Sequence, residues 1–474
     1  MIRINRLFPV KYAASKAFFG CLFCLISLSA QLSAQVKPVW KKDFKNSLNT
    51  INKAVALRID PEGNCYVLGF SWMPDSAKDI VLVKYSAEGN EIWRRMYDNP
   101  SHGDDISTGL ALDAQGNIWV SGTAHTSANN ADFLVTRFTP TGINDVNYIY
   151  DGDNHLFDMA SCIAVAKNGN VYAAGYTTSA DSGLDAMVIC LNHDGSPLWK
   201  DVYKSLTLDM YSSLCTDDSS NVYLAGTTNG AQRNSDILIR KFNAHGELKW
   251  NRVYDGVFGE RDAASLISID DSANVYISGF SNHTSDRSDI PVLKYNRNGL
   301  LQKEILYNGK IADCFANSVS VSKNEIVLVG SSIDYTTTER QTFLLRYNKG
   351  GKEKLFLKAP EDVTYYWYED LGKQTLVLGA MLTHPESTLM PYIGLVDTLP
   401  KCVWTFKDST VYGIAHMIDA KSHGHSVYFL GDDAGDATGT ITLMKYEVIA
   451  EADKKNTQQK NHTGGVQKNQ RSHN

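Results

Sequence analysis

The chain has 474 residues, of which 43% are hydrophobic and 21% are charged, and this composition disfavours both a disordered chain and a multi-span membrane protein. The formal net charge is −6, residues 1–34 contribute four positive charges and residues 450–474 a net +3, so the central region carries about −13. An acidic body of this size disfavours a nucleic-acid partner.

The first 34 residues have the pattern of a secretory signal peptide. Four basic residues and no acidic residue accompany an apolar stretch over residues 17–28, and small residues follow. This order predicts cleavage after Ala34, with Ala30 as the alternative. The apolar stretch is shorter than the ~20 residues that span a bilayer. We therefore expect an exported protein, periplasmic, on the outer surface or extracellular, with no transmembrane anchor after cleavage.

A glycine that ends a short strand recurs eight times, at spacings of 49 to 53 residues. The segments before it share one pattern, as in Gly63-Asn-Cys-Tyr-Val-Leu-Gly69 and Gly116-Asn-Ile-Trp-Val-Ser-Gly122. These anchor glycines are Gly69, Gly122, Gly175, Gly226, Gly279, Gly330, Gly379 and Gly431. The chain over residues 35–449 is therefore a series of homologous units of about 50 residues.

Each unit contains four short β-patterned segments separated by turn residues, with no helical periodicity between them. The second segment ends at the anchor glycine, and the third leads to a glycine turn such as Gly89 or Gly246. A tryptophan follows in several units, as in Trp93, Trp199 and Trp250. This pattern predicts an all-β fold, a single β-propeller of four-stranded blades.

The two ends of the repeat region predict how the ring closes. The last unit offers strands near residues 412–419, 426–431 and 440–446 and then runs into a polar tail, residues 450–474, which we expect to be disordered. Its missing fourth strand is found at the N-terminus, where residues 38–44 match residues 197–203 in spacing and type. An N-terminal strand is thus expected to complete the last blade and to remove the open sheet edge.

The units resemble the bacterial SBBP-type β-propeller repeat. Asp60 to Gly69 follows its Asp-x-x-Gly-Asn-x-Tyr-Val-x-Gly element, Asp79 to Tyr85 its Asp-x-x-x-x-Lys-Tyr element, and Gly89 to Trp93 its Gly-x-x-x-Trp element. The resemblance implies a propeller in an exported protein and no defined activity. That family is often associated with seven blades, so we keep seven as the alternative to our count of eight.

Two aspartate series recur with the repeat. One begins the third strand of each unit, at Asp79, Asp132, Asp185, Asp236 and Asp289, and the other precedes the next unit's first strand, at Asp105, Asp158, Asp209, Asp262 and Asp313. The loops after strands two and four of an antiparallel blade emerge on one side, so both series are expected on one face. They are candidates for a Ca²⁺-binding acidic face, and otherwise for carboxylates that accept hydrogen bonds from their own loops.

The irregular units after residue 307 offer further candidates. Tyr365, Tyr366, Trp367 and Tyr368 are candidates for stacking on a sugar or a peptide, although strand alternation would bury half of them. The six cysteines after residue 34 show no CxxC spacing and are interpreted as small buried hydrophobic residues.

We predict from these patterns a monomeric, non-catalytic binding or scaffold module for a protein or glycan at the cell envelope, with no cofactor beyond the candidate Ca²⁺. The alternative is a carbohydrate-active hydrolase or lyase with carboxylates at the mouth of the propeller channel. The Gly-x-x-x-Trp elements also resemble quinoprotein dehydrogenases. The chain after residue 34 lacks the adjacent cysteine pair of those enzymes, so the tryptophans are expected to join neighbouring blades instead.

Overall fold

A computed structural model of the protein describes residues 35–449, except residues 46–50, 73–76, 128–129, 182, 206–207, 230–233, 285–286, 310–311, 323–324, 335–336, 338, 371–373, 383–387, 398–401, 409–413 and 433–438. The predicted signal peptide and the predicted C-terminal tail lie outside these residues. The described residues form 32 β-strands. They include no helix that is long and apolar enough to cross a bilayer.

The strands form eight antiparallel sheets of four strands each, and we number the sheets as blades 1 to 8. Blades 1 and 2 contain β2 (Ile51–Ile59), β3 (Cys65–Trp72), β4 (Lys78–Tyr85), β5 (Glu91–Tyr97), β6 (Ile106–Leu112), β7 (Ile118–Ser127), β8 (Asn130–Phe138) and β9 (Asn144–Tyr150). Blades 3 and 4 contain β10 (Met159–Val165), β11 (Val171–Ser179), β12 (Gly183–Leu191), β13 (Pro197–Tyr203), β14 (Met210–Thr216), β15 (Val222–Asn229), β16 (Ser235–Phe242) and β17 (Leu248–Tyr254).

The remaining blades continue this order around the ring. Blades 5 and 6 contain β18 (Asp262–Ile269), β19 (Val275–Thr284), β20 (Arg287–Tyr295), β21 (Leu301–Tyr307), β22 (Ala312–Val321), β23 (Glu325–Asp334), β24 (Arg340–Asn348) and β25 (Glu353–Lys358). Blades 7 and 8 contain β26 (Val363–Asp370), β27 (Gln374–Leu382), β28 (Leu389–Asp397), β29 (Cys402–Lys407), β30 (His416–His423), β31 (Ser426–Asp432), β32 (Ile441–Ile449) and β1 (Gln35–Phe44).

Blade 8 is closed by the N-terminal strand. β1 pairs antiparallel with β32, with Gln35 opposite Ile449 and Phe44 opposite Ile441. The predicted count of eight blades and the predicted closing strand are confirmed, and the alternative of seven blades is wrong. The first strand of blade 8 begins at His416, later than the expected residue 412, and it extends to His423 before a turn at Gly424, whose φ is +58°.

In seven of the eight blades the anchor glycine lies against a backbone carbonyl group at a bulge in the first strand, whereas Gly330 of blade 6 lies against the side chains of Phe343 and Ile290. In blade 4, for example, Gly226 pairs with Tyr211, and the register of β14 shifts between Tyr211 and Ser213. A Cβ at Gly226 would lie less than 3.0 Å from the backbone carbonyl oxygen of Met210. Because this oxygen belongs to the backbone and cannot move aside easily, only glycine fits. The recurrence that reveals the repeat is thus a steric requirement.

The tryptophans of the fourth strands join neighbouring blades, as predicted. Trp93 Nε1 donates a hydrogen bond to Pro140 O of blade 2 (3.0 Å), and the indole ring lies over the turn glycine Gly142, where a Cβ would be 2.9 Å from the ring. Equivalent indole-to-carbonyl bonds of 3.2 Å are made by Trp199 and Trp250. These turn glycines have positive φ, so they provide both the turn and the space for the ring.

The tryptophan of the closing strand makes the same contact. Trp40 Nε1 donates to Ala87 O (3.2 Å) in the third-to-fourth turn of blade 1, and a Cβ at Gly89 would lie 2.8 Å from the indole ring. Blade 8 therefore docks on blade 1 through the N-terminal strand, and the interface uses the same chemistry as the interfaces within the continuous chain.

The first turn of the blade is held by side chains of the repeat motif. Asp113 Oδ1 accepts a hydrogen bond from Asn117 N (2.8 Å), while its Oδ2 accepts from Asn117 Nδ2 (2.8 Å) and Trp119 Nε1 (3.1 Å). Asp60, Asp217 and Asp270 make the corresponding bonds in blades 1, 4 and 5, with a tyrosine hydroxyl as the last donor. The Asp, Asn and Tyr positions of the repeat are therefore structural.

The cysteines follow the interpretation made from the sequence. Cys65, Cys190 and Cys314 are buried thiols, and Cys162 and Cys215 are half-buried thiols. Burial raises the pKa of the Cys65 thiol to about 12, so it is protonated and unreactive at neutral pH. The side chain of Cys402 lies outside the described residues.

Substitution of Trp40 tests the closing interface. We expect Trp40→Ala to lower the free energy of unfolding by about 2–4 kcal/mol, because it removes a packed indole ring and its hydrogen bond. The matched control is Trp72→Ala, since Trp72 is 37% exposed at the end of β3, and its effect should stay within about 0.5 kcal/mol. Urea denaturation measures both, and equal effects would contradict the role given to Trp40.

Candidate functional site

The loops after the second and fourth strands of the blades form one face of the ring, which we call the cluster face. These loops contact one another directly: Asp158 N donates to Ala131 O (2.9 Å), and Asp209 N donates to Leu184 O (2.8 Å). Each bond ties the connection between two blades to the start of the third strand of the first blade. The two aspartate series predicted for one face therefore do lie side by side.

The second aspartate series holds the loops between blades. Asp158 is fully buried, its Oδ2 accepts a hydrogen bond from Gly152 N (2.7 Å), and its Oδ1 accepts from Thr178 N (2.9 Å). Asp105 does the same with the amides of Asn99 (2.6 Å) and His125 (3.0 Å). Charged acceptors for buried amides are strong interactions. This series therefore caps loops through its carboxylate oxygens.

The other three members of the second series also accept hydrogen bonds, but from different donors. Asp209 accepts from the backbone amide of Ser205 and from its hydroxyl (2.6 Å). Asp262 accepts from Gly256 N (2.6 Å). Asp313 instead accepts from Ser288 N (2.6 Å) on the third strand of blade 5. All five positions therefore bind loop or strand-end amides, with one change of partner in blade 5.

The first series contributes to three clusters of carboxylates. In each cluster, one oxygen from each of three aspartates lies within 4.8 Å of the others. We call them the blade 1 cluster (Asp79, Asp98, Asp105), the blade 2 cluster (Asp132, Asp151, Asp158) and the blade 4 cluster (Asp236, Asp255, Asp262). Each combines a third-strand aspartate, a second-series aspartate and an exposed aspartate that follows the fourth strand.

Three carboxylates at this spacing repel one another. At an effective dielectric constant of about 20, two unit charges about 5 Å apart cost roughly 3 kcal/mol. Burial, together with the negative charges of Asp255 and Asp262, raises the pKa of Asp236 to about 6. Burial likewise raises the pKa of Asp79 and of Asp105 to about 6. Such clusters are suited to binding either protons or a hard cation.

The blade 4 cluster has the least internal compensation. Asp236 is 4% exposed, and its Oδ1 has no hydrogen-bond partner. By contrast, the equivalent Asp132 in blade 2 accepts from Asn130 Nδ2 (2.6 Å) and from the hydroxyl of Thr126. No lysine, arginine or histidine of the described residues forms an ion pair with the three carboxylates of the blade 4 cluster.

Blades 3 and 5 differ at the same positions. In blade 3 the residue after the fourth strand is Lys204, whose Nζ lies 2.8 Å from Asp185 Oδ2 and donates to Ser179 Oγ (2.8 Å). In blade 5 that residue is Asn308, and the His283 ring lies 3.6 Å from Asp289 Oδ2. These two blades therefore place a basic side chain beside the first-series aspartate.

Exposed apolar side chains project from the same face. Val257 and Phe258 are 72% and 42% exposed, and they lie in the loop between Asp255 and Asp262. Leu156 and Phe157 occupy the matching loop between Asp151 and Asp158, with 39% and 45% exposure. Large exposed apolar groups in loops are typical of interaction surfaces.

The aromatic candidates of the irregular units are incorporated into blade packing. Tyr365 is 1% exposed and belongs to the core between blades 6 and 7, against which Tyr368 also packs. Tyr366 and Trp367 pack against the core between blades 7 and 8. A bulge of β26 between Tyr365 and Trp367 is equivalent to the bulge of the other first strands. All four aromatic candidates therefore take part in the packing between blades.

Sequence reasoning missed the exposed members of the clusters. Asp98, Asp151 and Asp255 each follow the recurring tyrosine that ends the fourth strand, at Tyr97, Tyr150 and Tyr254. A third aspartate series was therefore visible, but it is interrupted by Lys204 and Asn308. Its significance depends on the side of the ring on which the fourth strand ends. This becomes clear only when the loop between two blades is seen beside the start of the third strand.

Two substitutions distinguish the roles of the series. In calcium-free buffer at pH 7, we expect Asp158→Ala to lower the free energy of unfolding by about 2–4 kcal/mol, because it leaves two buried amides without acceptors. Asp236→Asn should be neutral or stabilising, since it removes a repelled charge and no hydrogen bond. Urea denaturation in EDTA measures the contrast. A strongly destabilised Asp236→Asn variant would contradict this assignment.

No family model matches the chain, and no curated protein matches it in sequence. Among solved structures it is similar to the β-propeller domain of the Trilobed protease from Pyrococcus furiosus, with 9% identity, coverage of 76% of this chain and 97% of that chain, and a TM-score of 0.43.

It is also similar to a protein of unknown function from Dyadobacter fermentans, with 11% identity, 87% and 99% coverage of the two chains and a TM-score of 0.41. A third similarity is to the acylaminoacyl peptidase of Pyrococcus horikoshii, with 8% identity, 81% and 58% coverage and a TM-score of 0.44. At these identities the similarities carry no argument about activity, and the chain itself is a β-propeller of eight blades.

Proposed function

We propose that this propeller is an exported, non-catalytic binding module of the SBBP-repeat type, which contacts a protein or glycan at the cell envelope through its cluster face. The observation that carries the proposal is the pair of exposed apolar loop tips, Leu156-Phe157 and Val257-Phe258, on an otherwise acidic face. Phe157 and Phe258 each lie against one ring of a neighbouring strand, Tyr176 and His283, and the solvent-exposed parts of these apolar side chains would contribute to an interface.

The distribution of carboxylates also favours binding over hydrolysis. A glycosidase uses one pair of carboxylates in one cleft. The carboxylates of this protein with raised pKa values recur in four blades and include the amide-bound Asp105 and Asp158. A cavity of about 140 Å³ at Asp408 and Tyr446, where blade 7 meets blade 8, is below the roughly 300–1,000 Å³ of typical small-molecule sites.

The repeat motif supports the family assignment within this proposal. The Asp, Asn and Tyr positions through which the units resemble the SBBP repeat are the ones that bond to one another in the first turn of the blade, as in Asp60, Asn64 and Tyr66. Since these residues serve the blade, the specificity of the module is expected in the loops of the cluster face.

Binding can be tested with variants on the two faces of the ring. We expect Val257→Ser combined with Phe258→Ser to abolish capture of a partner from envelope fractions, or of a glycan on an array. The matched control is Ile143→Ser combined with Leu300→Ser, because these residues are 61% and 63% exposed in turns of the opposite face. Partner capture that survives the first pair but is lost with the second would place the interface on the other face.

Export can be tested separately by N-terminal sequencing of the protein recovered from the producing cells. The basic residues, apolar stretch and small residues of the N-terminal segment support cleavage after Ala34. The expected mature N-terminus is therefore Gln35, which is also the first residue of β1. A protein that retains residues 1–34 and stays in the cytoplasm would contradict the proposed export.

A further inference from the structure

We propose that the blade 1, blade 2 and blade 4 clusters are calcium sites, each for one Ca²⁺, and that Lys204 supplies the equivalent positive charge in blade 3. This inference is independent of the proposed binding function. Three features of the chain support it: the convergent carboxylates, the buried Asp236 oxygen without a hydrogen-bond partner, and the ammonium group of Lys204 at the equivalent position of blade 3.

The spacing of the oxygens fits a single ion. Calcium binds oxygen ligands at about 2.3–2.6 Å, so two ligands of one ion are at most about 5 Å apart. In each cluster three carboxylate oxygens lie within 4.8 Å of one another. One aspartate of each cluster is exposed, which gives the ion a path from solvent, and the others are buried or half-buried. Three carboxylates leave coordination positions for backbone carbonyls or water, as calcium sites commonly have.

The blade 4 cluster contains a buried carboxylate oxygen that has no polar partner. Asp236 is 4% exposed, and its Oδ1 has no hydrogen-bond partner. Buried carboxylate oxygens are normally paired with a donor or a cation. The group that Asp236 faces is instead a pair of further carboxylates, Asp255 and Asp262. A bound cation would satisfy this oxygen and neutralise the cluster at the same time.

Blade 3 shows which charge an equivalent aspartate pairs with and where that charge lies. Its third-strand aspartate, Asp185, is equivalent to Asp236, and Lys204 is equivalent to Asp255. Lys204 Nζ lies 2.8 Å from Asp185 Oδ2. Where the third carboxylate is replaced, a cation is thus attached to the chain. Among the described residues, no lysine or arginine is paired with any of the nine aspartates of the three clusters, and the histidines His102 and His155 pair only with the exposed Asp98 and Asp151.

The ligand set favours calcium over other divalent cations. Zinc prefers thiolate and imidazole ligands in a tetrahedral arrangement, whereas each cluster presents carboxylates. Magnesium requires near-octahedral geometry at about 2.0–2.1 Å and retains its water, whereas calcium tolerates irregular ligand arrangements. The aspartates of each cluster lie at strand ends and in irregular loops. Such an irregular arrangement of ligands suits calcium better than magnesium.

The test is a measurement of binding stoichiometry. The purified full chain is stripped with EDTA and dialysed against about 1 mM Ca²⁺, the upper range for extracellular calcium modules. We expect three Ca²⁺ per chain, matching the three clusters. We also expect a rise of roughly 5–10 °C in Tm that EDTA reverses. The absence of saturable Ca²⁺ binding would overturn the assignment. So would displacement of the bound Ca²⁺ by Mg²⁺ at an equal concentration.

Two substitutions of opposite charge sharpen the test. Asp255→Lys copies the arrangement of blade 3, so the stoichiometry should fall by one while the Tm in EDTA stays the same or rises. Lys204→Asp creates a fourth triad, so the stoichiometry should rise by one and the Tm in EDTA should fall. The surface control is Asp218→Lys, because that side chain is 93% exposed in a turn of blade 4, and it should leave the stoichiometry unchanged.

Circular dichroism establishes that each variant is folded, and Asp255→Asn replaces Asp255→Lys if the latter does not fold. An unchanged stoichiometry in a folded Asp255 variant would overturn the blade 4 site. A folded Lys204→Asp variant that binds no additional ion would overturn the role given to Lys204. Loss of an ion in Asp218→Lys would show that the bound calcium is distributed over the acidic surface.

Discussion

The docking of one blade on the next is the interaction on which the ring depends. A blade alone exposes two apolar sheet faces, and these are covered only when neighbours pack on both sides. The fourth-strand tryptophans add a directional contact, in which an indole covers a glycine turn and donates to its carbonyl group, as Trp93 does to Pro140. Trp40 repeats this contact where the two ends of the chain meet.

Different contacts hold the loops on the two faces of the ring. The tryptophans fix the third-to-fourth turns on one face, whereas the cluster face needs a separate means of holding its longer loops. The second aspartate series provides it, because residues such as Asp158 bind one amide of the loop between blades and one amide at the end of a second strand at once. A carboxylate buried for this purpose stays charged only if its surroundings supply donors or cations. The residue that follows the fourth strand differs between blades: Lys204 supplies a cation in blade 3, whereas Asp255 adds a further carboxylate in blade 4.

The sequence allowed the architecture to be predicted because each blade repeats the same local requirements. The anchor glycines mark the bulge of the first strand, and the pattern around Trp40 identified the closing strand four hundred residues before its partner β32. The clusters could not be predicted in the same way. Asp79 lies at the start of β4, whereas Asp98 and Asp105 lie in the connection between blades 1 and 2, and only the path of the chain shows that they converge. The packing of the aromatics at 365–368 could not be predicted for a related reason, since the bulge that orients them belongs to the fold.

The clusters and the apolar tips are connected through the chain. Val257 and Phe258 lie between Asp255 and Asp262, and Leu156 and Phe157 lie between Asp151 and Asp158, so both ends of each loop belong to one cluster. A cation held by those aspartates would pin both ends of the loop and reduce the conformational freedom that a partner must otherwise restrict on binding. In this arrangement calcium would increase affinity for a partner without contacting it, and the blade 3 loop, held by Lys204, would be insensitive to the ion.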